Sequence, residues 1–274
     1  MAYAVGCLGR SLRRACELVG LSRPVYHYHA RPNKDEVVRE RLRQLAQERH
    51  RFGSPRLHLL LRREGLVVNH KRTERLYREE GLALRRKRRR KGAAGVRVVP
   101  LAPQRPNEKW AMDFVHDSTA DGRRFRALVV VDQYTRECPA IEVDRSLGGR
   151  RVVSVLDRLS ESRALPETIT TDNGPEFTGK VLDEWACRTG VKLHFIGPGK
   201  PTENAYAESL IGRLRDECLS GNWFLSLADA RDIIEAWRKD YNGARPHSSL
   251  GGLTPHEYAE TTAGLQLALV SPVG

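Results

Sequence analysis

The chain lacks a cysteine framework. Its five cysteines, Cys7, Cys16, Cys138, Cys187 and Cys218, are scattered over 274 residues with no C-x-x-C pair. That pattern argues against a disulfide-stapled fold and points to a reducing compartment. Cys7, Cys16, His27 and His29 can be imagined as a zinc site, but their spacing matches no common zinc module. The plainer reading is two small core thiols and two solvated histidines. Long apolar runs are also missing, and nothing approaches the ~18 residues of a membrane span. The first residues are apolar and then basic, the reverse of a secretory signal, so a cytoplasmic protein is expected. Acidic residues are scarce in the front of the chain. Residues 1–106 hold 27 Lys and Arg against 9 Asp and Glu, whereas residues 107–274 hold 20 against 25.

A front with a net charge of +18 on a back of −5 is the asymmetry of a nucleic-acid-binding arm joined to something else. Such an arm attracts phosphates without regard to sequence. The front reads as helical. SLRRACELVG is a short amphipathic helix stopped by Gly20, and Ser22 and Pro24 open another. Residues 35–50 form a charged helix. In SPRLHLLLRREG, Ser54 is the expected N-cap and Pro55 the first helical residue, with Leu57, Leu60 and Leu61 on one face. Asn69 caps HKRTERLYREE, which stops at Gly81.

Helix, glycine turn and capped helix outline a helix-turn-helix whose second helix carries Lys71, Arg72 and Arg75 toward DNA. A helical hairpin with a solvated basic face fits the same pattern. Arg85, Arg86, Lys87, Arg88, Arg89, Arg90 and Lys91 follow without interruption. No core can use them, so they form either a phosphate-tracking arm or a solubilising linker. The expected division is a basic helical region over 1–91, a linker over 92–107 rich in Gly and Pro, a core over 108–222, and a C-terminal helical extension and tail over 223–274.

Beyond residue 108 the periodicity changes from helical to alternating. KWAMDFVHD, FRALVVVDQYT and CPAIEVD read as an antiparallel meander. A helix near 149–163, strand TITTD, a helix through Leu182 and Trp185, strand KLHFIG and a helix near 203–219 follow, with another near 227–242. The expected fold is α/β, a mixed five-stranded sheet with flanking helices behind a small basic all-helical domain.

Three carboxylates stand out. Asp113 lies amid apolar neighbours in WAMDF, where burial is costly unless the charge is paired or metal-bound; the plain alternative is an outward strand position. Asp172, in TTDNGPEF, ends the fourth strand, but Asp-Asn-Gly is also ordinary turn chemistry, and Pro175 suits a helix start. Glu208 shares a helix stripe with Arg215 and Asn204, beside a packing face of Ala207, Leu210, Ile211, Leu214 and Cys218, and alone it would pass for a surface glutamate. In this strand order the three can converge, and three converged carboxylates call for a hard divalent cation. Two such ions can serve phosphodiester displacement.

These residues, together with WAMDF, TDNGPEFTGK, PGKPTENAY, AESLIGRLRDECL, WFLSLADAR and YNGARPHSSLGGLTP, resemble the bacterial insertion-sequence transposases of family three, downstream-frame or OrfB type. The resemblance covers nearly the whole chain and extends to the retroviral-integrase superfamily. It implies an RNase-H-like catalytic core and a DNA transposase in which Asp113, Asp172 and Glu208 are catalytic and bind two Mg2+ or Mn2+ ions. Arg215, with Asn204 and Lys200, would contact DNA beside them. Water would free a 3′-hydroxyl at the element's end, and that hydroxyl would attack another phosphodiester by direct transesterification, with no covalent protein intermediate. The implied partners are the element's terminal inverted repeats, target DNA, further copies of the chain on that DNA, and an upstream-frame OrfA product joined as a fusion. The implied location is the nucleoid, with no membrane. A catalytically idle DNA-binding regulator and a nuclease that cuts without joining are the alternatives. Two positions depart from the family's pattern: Ile211 stands where a polar residue is usual, and Gln133 replaces the second aspartate of a VVDD run.

Overall fold

The computed structural model describes residues 6, 9, 11–28, 35–84, 102–197 and 201–270. The chain divides into two compact units, Met1–Arg41 and Leu42–Gly274. The first unit carries α1 (Leu12–Leu18), whose Ser11 cap accepts from the Arg14 amide, and α2 (Arg23–Tyr26). Helix α3 (Glu36–Glu48) spans the division.

In the second unit, α4 (Ser54–Arg63) and α5 (His70–Glu79) pack on each other through buried Leu57, Leu61, Leu76 and Tyr77. The His58 Nδ1 and Thr73 Oγ1 atoms tie them at 2.9 Å. The cap of α4 is Gly53 rather than Ser54, which instead forms the first helical residue. Gly53 is extended, and no side-chain hydrogen bond closes that end, so the expected serine cap is displaced by one residue. Asn69 caps α5 as expected, accepting from the Lys71 amide at 2.9 Å. Gly65 and Gly81 end the two helices at φ +74° and +67°, where a Cβ would be strained.

The sheet comprises β1 (Lys109–Ser118), β2 (Arg124–Asp132), β3 (Ala140–Asp144), β4 (Thr168–Thr171) and β5 (Lys192–Phe195) in the order β3-β2-β1-β4-β5. The first three strands are antiparallel neighbours, and β4 and β5 add in parallel. Helices α6 (Gly149–Ser160) and α7 (Lys180–Thr189) cover one face, and α8 (Ala205–Glu217) and α9 (Leu227–Gly243) cover the other. Covering both faces makes β1 central and apolar on each side. Its Trp110 and Met112 join Val155, Leu182 and Trp185, while Ala111 and Val115 join Ala207, Leu210 and Ile234.

A last helix, α10 (Pro255–Val270), occupies the segment expected as extension and tail. Thr254 and Glu257 cap it reciprocally: the Glu257 amide donates to Thr254 Oγ1 at 3.2 Å and the Thr254 amide to Glu257 Oε2 at 2.7 Å. This is the T-x-x-E capping box, a signal readable in TPHE. The charge asymmetry of the sequence is partly satisfied inside the second unit. Arg49 pairs with Asp240, Arg63 with Glu257 and Arg56 with Glu217, tying the basic front to the acidic core.

Candidate active site

Asp113 is positioned by strand alternation. It shares the face of Ala111 and Val115, so its side chain points toward the α8 side of the sheet rather than away from the protein. It is half-buried, and the Phe114 amide donates to its Oδ1 at 2.7 Å. Burial pushes its carboxyl above the usual carboxylate range. The Phe114 hydrogen bond opposes this, the charges of Asp172 and Glu208 raise it further, and Arg215 lowers it. Both other carboxylates and the arginine therefore lie within electrostatic reach of Asp113.

Asp172 follows β4, whose parallel pairing with β1 brings the two strands side by side. The Gly174 amide donates to Asp172 Oδ1 at 3.1 Å. Asn173 donates to the Ile196 carbonyl at 2.9 Å. A Cβ on Gly174 would stand 3.1 Å from that same Oδ1 and 3.0 Å from Glu176 Oε2, so glycine is what leaves room for the aspartate. Pro175 does not open a helix as expected. Residues 175–177 form a turn closed by the Phe177 and Thr178 amides on the Gly174 carbonyl, and α7 starts only at Lys180.

Two residues absent from the sequence-based site fix this turn. Phe177 is fully buried and stacks on Phe114 at 5.1 Å, and Glu176 pairs with Arg126 of β2. Burial raises the Glu176 carboxyl, but the Arg126 hydrogen bond, a backbone hydrogen bond and the charges of Arg126 and His116 together outweigh it, and the net shift is downward. Only the apolar Phe177 is open to recognition from sequence, since Arg126 and Glu176 lie fifty positions apart in the chain.

Glu208 and Arg215 are exposed on α8, two turns apart on one stripe. Asn204, expected to touch DNA, is instead buried. Its Nδ2 donates to the Met112 carbonyl at 3.2 Å, so it ties the start of α8 to β1 beside Asp113. Ile211 is buried among the apolar contacts of α8, which explains an apolar side chain there. Gln133 is buried too, and donates to the Trp110 carbonyl at 3.3 Å. Asp132 beside it accepts from the Asn107, Tyr134 and Thr135 amides, a structural duty.

Among the described residues, no three His, Cys, Asp or Glu side chains stand close enough to hold a metal ion. Asp172 and Glu208 act on Asp113 through their charge, yet the three are not drawn together to ligating distance. The donor set fits a hard cation, being all oxygen and mutually repulsive. Two buried oxygens without a protein partner, Thr171 Oγ1 and Asn204 Oδ1, lie next to this set in the chain.

On α5, Lys71 and Arg75 are exposed and Arg72 is half-buried. Arg75 pairs with Glu79 and Arg78 with Glu74, so part of this basic face is balanced within the helix. Residues 85–91, Lys200, Cys7 and His29 lie outside the described residues. No helix among the described residues is long and apolar enough to cross a membrane.

Comparison with known proteins adds independent findings. The integrase core domain family matches residues 103–201 and 189–255, and an HTH-like domain matches residues 32–90. A 31.7 kDa protein of insertion element IS407 from Burkholderia multivorans is 53% identical over 91% of this chain and 90% of its own length. A protein of insertion element IS476 from Xanthomonas euvesicatoria is 47% identical over 91% of this chain and 72% of its own. The transposase InsK of element IS150 from Escherichia coli is 28% identical over 92% and 93%. In fold, the chain aligns with a simian T-cell lymphotropic virus intasome structure at a TM-score of 0.52, with 15% identity over 80% of this chain and 74% of that one. The HTLV-2 integrase catalytic core in complex with magnesium aligns at 0.45, with 18% identity over 57% and 97%. The RNase-H-like sheet and the HTH-like front thus define an integrase-core polynucleotidyl transferase. Within that class the chain belongs to the bacterial insertion-sequence transposases, as the family-three OrfB type.

Proposed function

We propose that Asp113, Asp172 and Glu208 are the catalytic carboxylates and that they hold one or two Mg2+ or Mn2+ ions. The observation that carries this reading is the place of Asp113, half-buried on the α8 face of the central strand and within electrostatic reach of both other acids. Bound divalent cations would supply activation of an attacking oxygen and stabilisation of the leaving one. The chain's own part is positional. β1 fixes Asp113, the Gly174 amide orients Asp172, and Asn204 anchors α8 so that Glu208 overlooks both. Arg215 offsets their charge and contacts a DNA phosphate next to the reacting one.

The reaction is a pair of phosphodiester displacements. In the first, a water oxygen bonds to phosphorus at the element's end, the bond to the 3′-oxygen breaks, and that oxygen leaves as a free hydroxyl. In the second, this hydroxyl bonds to a target phosphorus and displaces the neighbouring 3′-oxygen, so no covalent protein intermediate forms.

The HTH-like front, with Lys71, Arg72 and Arg75, and the run 85–91 would bind the element's inverted repeats and track their phosphates. Lys200 would also approach DNA. Two copies or more would hold two ends together, and an upstream-frame OrfA product would act as a fusion partner. Titration of the purified protein with Mn2+, followed by electron paramagnetic resonance, tests the ion site apart from the chemistry. Binding in the parent that is lost in Asp113→Asn and Asp172→Asn supports the site. Equal binding in all three removes it.

A further inference from the structure

A cavity of about 300 Å³ lies on the opposite flank of α8 from Glu208. Helix geometry separates the two: Ser209 and Arg213 are turned roughly 100–140° from Glu208 around the axis. Four guanidinium groups, Arg56, Arg136, Arg213 and Arg245, line this cavity together with the hydroxyls of Ser209, Ser248 and Ser249, and no carboxylate is among its lining residues.

These cations are not equally engaged. Arg245 is buried and gripped by Glu217 at 2.6 and 2.8 Å, and Arg56 reaches the same carboxylate at 3.6 Å. Glu217 is thereby shared by two arginines. Arg136 stacks on the Tyr206 ring at 4.1 Å and donates to the Gln133 carbonyl. Arg213 is exposed and, among the described residues, has no carboxylate within ion-pair distance. One carboxylate for four guanidiniums leaves net positive charge in a concave, hydroxyl-lined site. Burial first, and then the charge of Arg245, lower the Arg56 guanidinium to about 10. His247 is held neutral by burial and the same arginines, with its ionisation pushed down to about 3. It adds no charge, but its ring lines the cavity.

We infer that this cavity is a binding site for a DNA backbone phosphodiester, some steps along the strand from the phosphate at Asp113, Asp172 and Glu208. The outer surface of α8 between the two sites supports this path, since Ala205 and the exposed Gly212 present little bulk there. A helix is about 10 Å across, and a strand advances about 3.4 Å per nucleotide, so roughly three steps span it. Arg213 and Arg136 supply the charge, and Arg245, fixed by Glu217, shapes the wall. The inference rests on the reading of the three carboxylates as a DNA-cutting site.

The test is fluorescence anisotropy with the full chain, a labelled mixed-sequence duplex and a series of salt concentrations. Parent, Asp172→Asn, Arg213→Gln, Arg136→Gln/Arg213→Gln and Arg150→Gln are compared. Arg150 is an exposed arginine on α6, across the sheet. Arg213→Gln is expected to weaken binding about tenfold and to reduce the log–log salt slope by about one, and the double variant by up to about two. Arg150→Gln should leave the slope unchanged. Asp172→Asn should also leave it unchanged, so failure of the catalytic reading would show in activity while this slope reports only on the cavity. An unchanged slope in the double variant overturns the inference, as does an equal change in Arg150→Gln. A second arm measures thermal stabilisation by inorganic phosphate. Stabilisation that is lost in the double variant while its DNA slope is unchanged makes the cavity a free-anion site, and the DNA assignment falls.

Discussion

Arg245 and Glu217 form a two-pronged ion pair at 2.6 and 2.8 Å, with the arginine side chain 3% exposed and the glutamate 10%. It joins the end of α8 to the turn after α9, in the segment ARPHSSLGG. Arg245 therefore has a packing role. Removing the acid leaves a buried cation with no carboxylate partner, which typically costs about 3–5 kcal/mol. Glu217→Ala is expected to lose about that much stability in urea unfolding. A change below about 1 kcal/mol would mean that water or a neighbour replaces the carboxylate.

His247 gives the fold a pH dependence. Its ring meets Tyr241 edge-on at 4.8 Å, and burial, then Arg245, Arg56 and Arg213, push its ionisation from the usual 6.5 to about 3. The unfolded chain takes up this proton below pH 6.5 and the folded chain does not. The neutral ring's contribution is therefore complete above 6.5 and is lost progressively as pH falls toward 3. The limiting slope is about 1.4 kcal/mol per pH unit. His58, depressed first by burial and then by His70, adds in the same direction. Unfolding free energies measured between about pH 7 and 5 should fall less steeply in His247→Gln than in the parent. Parallel curves would contradict a buried neutral imidazole.

Gly174 is where the turn meets Asp172, one of the three proposed catalytic carboxylates. An alanine there presses on Asp172 Oδ1 and Glu176 Oε2, and Glu176 cannot retreat freely because Arg126 holds it. If Asp172 holds the proposed catalytic position, displacing it by a fraction of an ångström is costly in rate, so Gly174→Ala should lower strand transfer by roughly tenfold or more. Circular dichroism and DNA affinity should stay near the parent's. Full strand-transfer activity would show that Asp172 tolerates the shift.

Much of this arrangement is legible in the chain. The change of period from helical to alternating near residue 108 places the strands, because side-chain alternation and the helical repeat are local properties. The apolar stripe Ala207, Leu210, Ile211, Leu214 and Cys218 is buried as its spacing implies. What escapes reading depends on contacts between distant segments. Asn204 looks like a polar helix-start residue available to DNA, and only docking of α8 on β1 buries it. Arg126 with Glu176, and Arg245 with Glu217, are ordinary charges until the fold pairs them. The Gly53 cap and the Pro175 turn show the usual slippage of local signals by a residue or more.

The most direct test of the catalytic assignment uses a labelled branched DNA that mimics a joined end, incubated with the purified protein and Mn2+. The parent, Asp172→Asn and Glu208→Gln are compared, with DNA binding measured on the same samples. Resolution of the branch by the parent, and its loss in both variants at near-equal binding, is the expected result. Resolution at the parent's rate in either variant would contradict the assignment of that carboxylate to the active site.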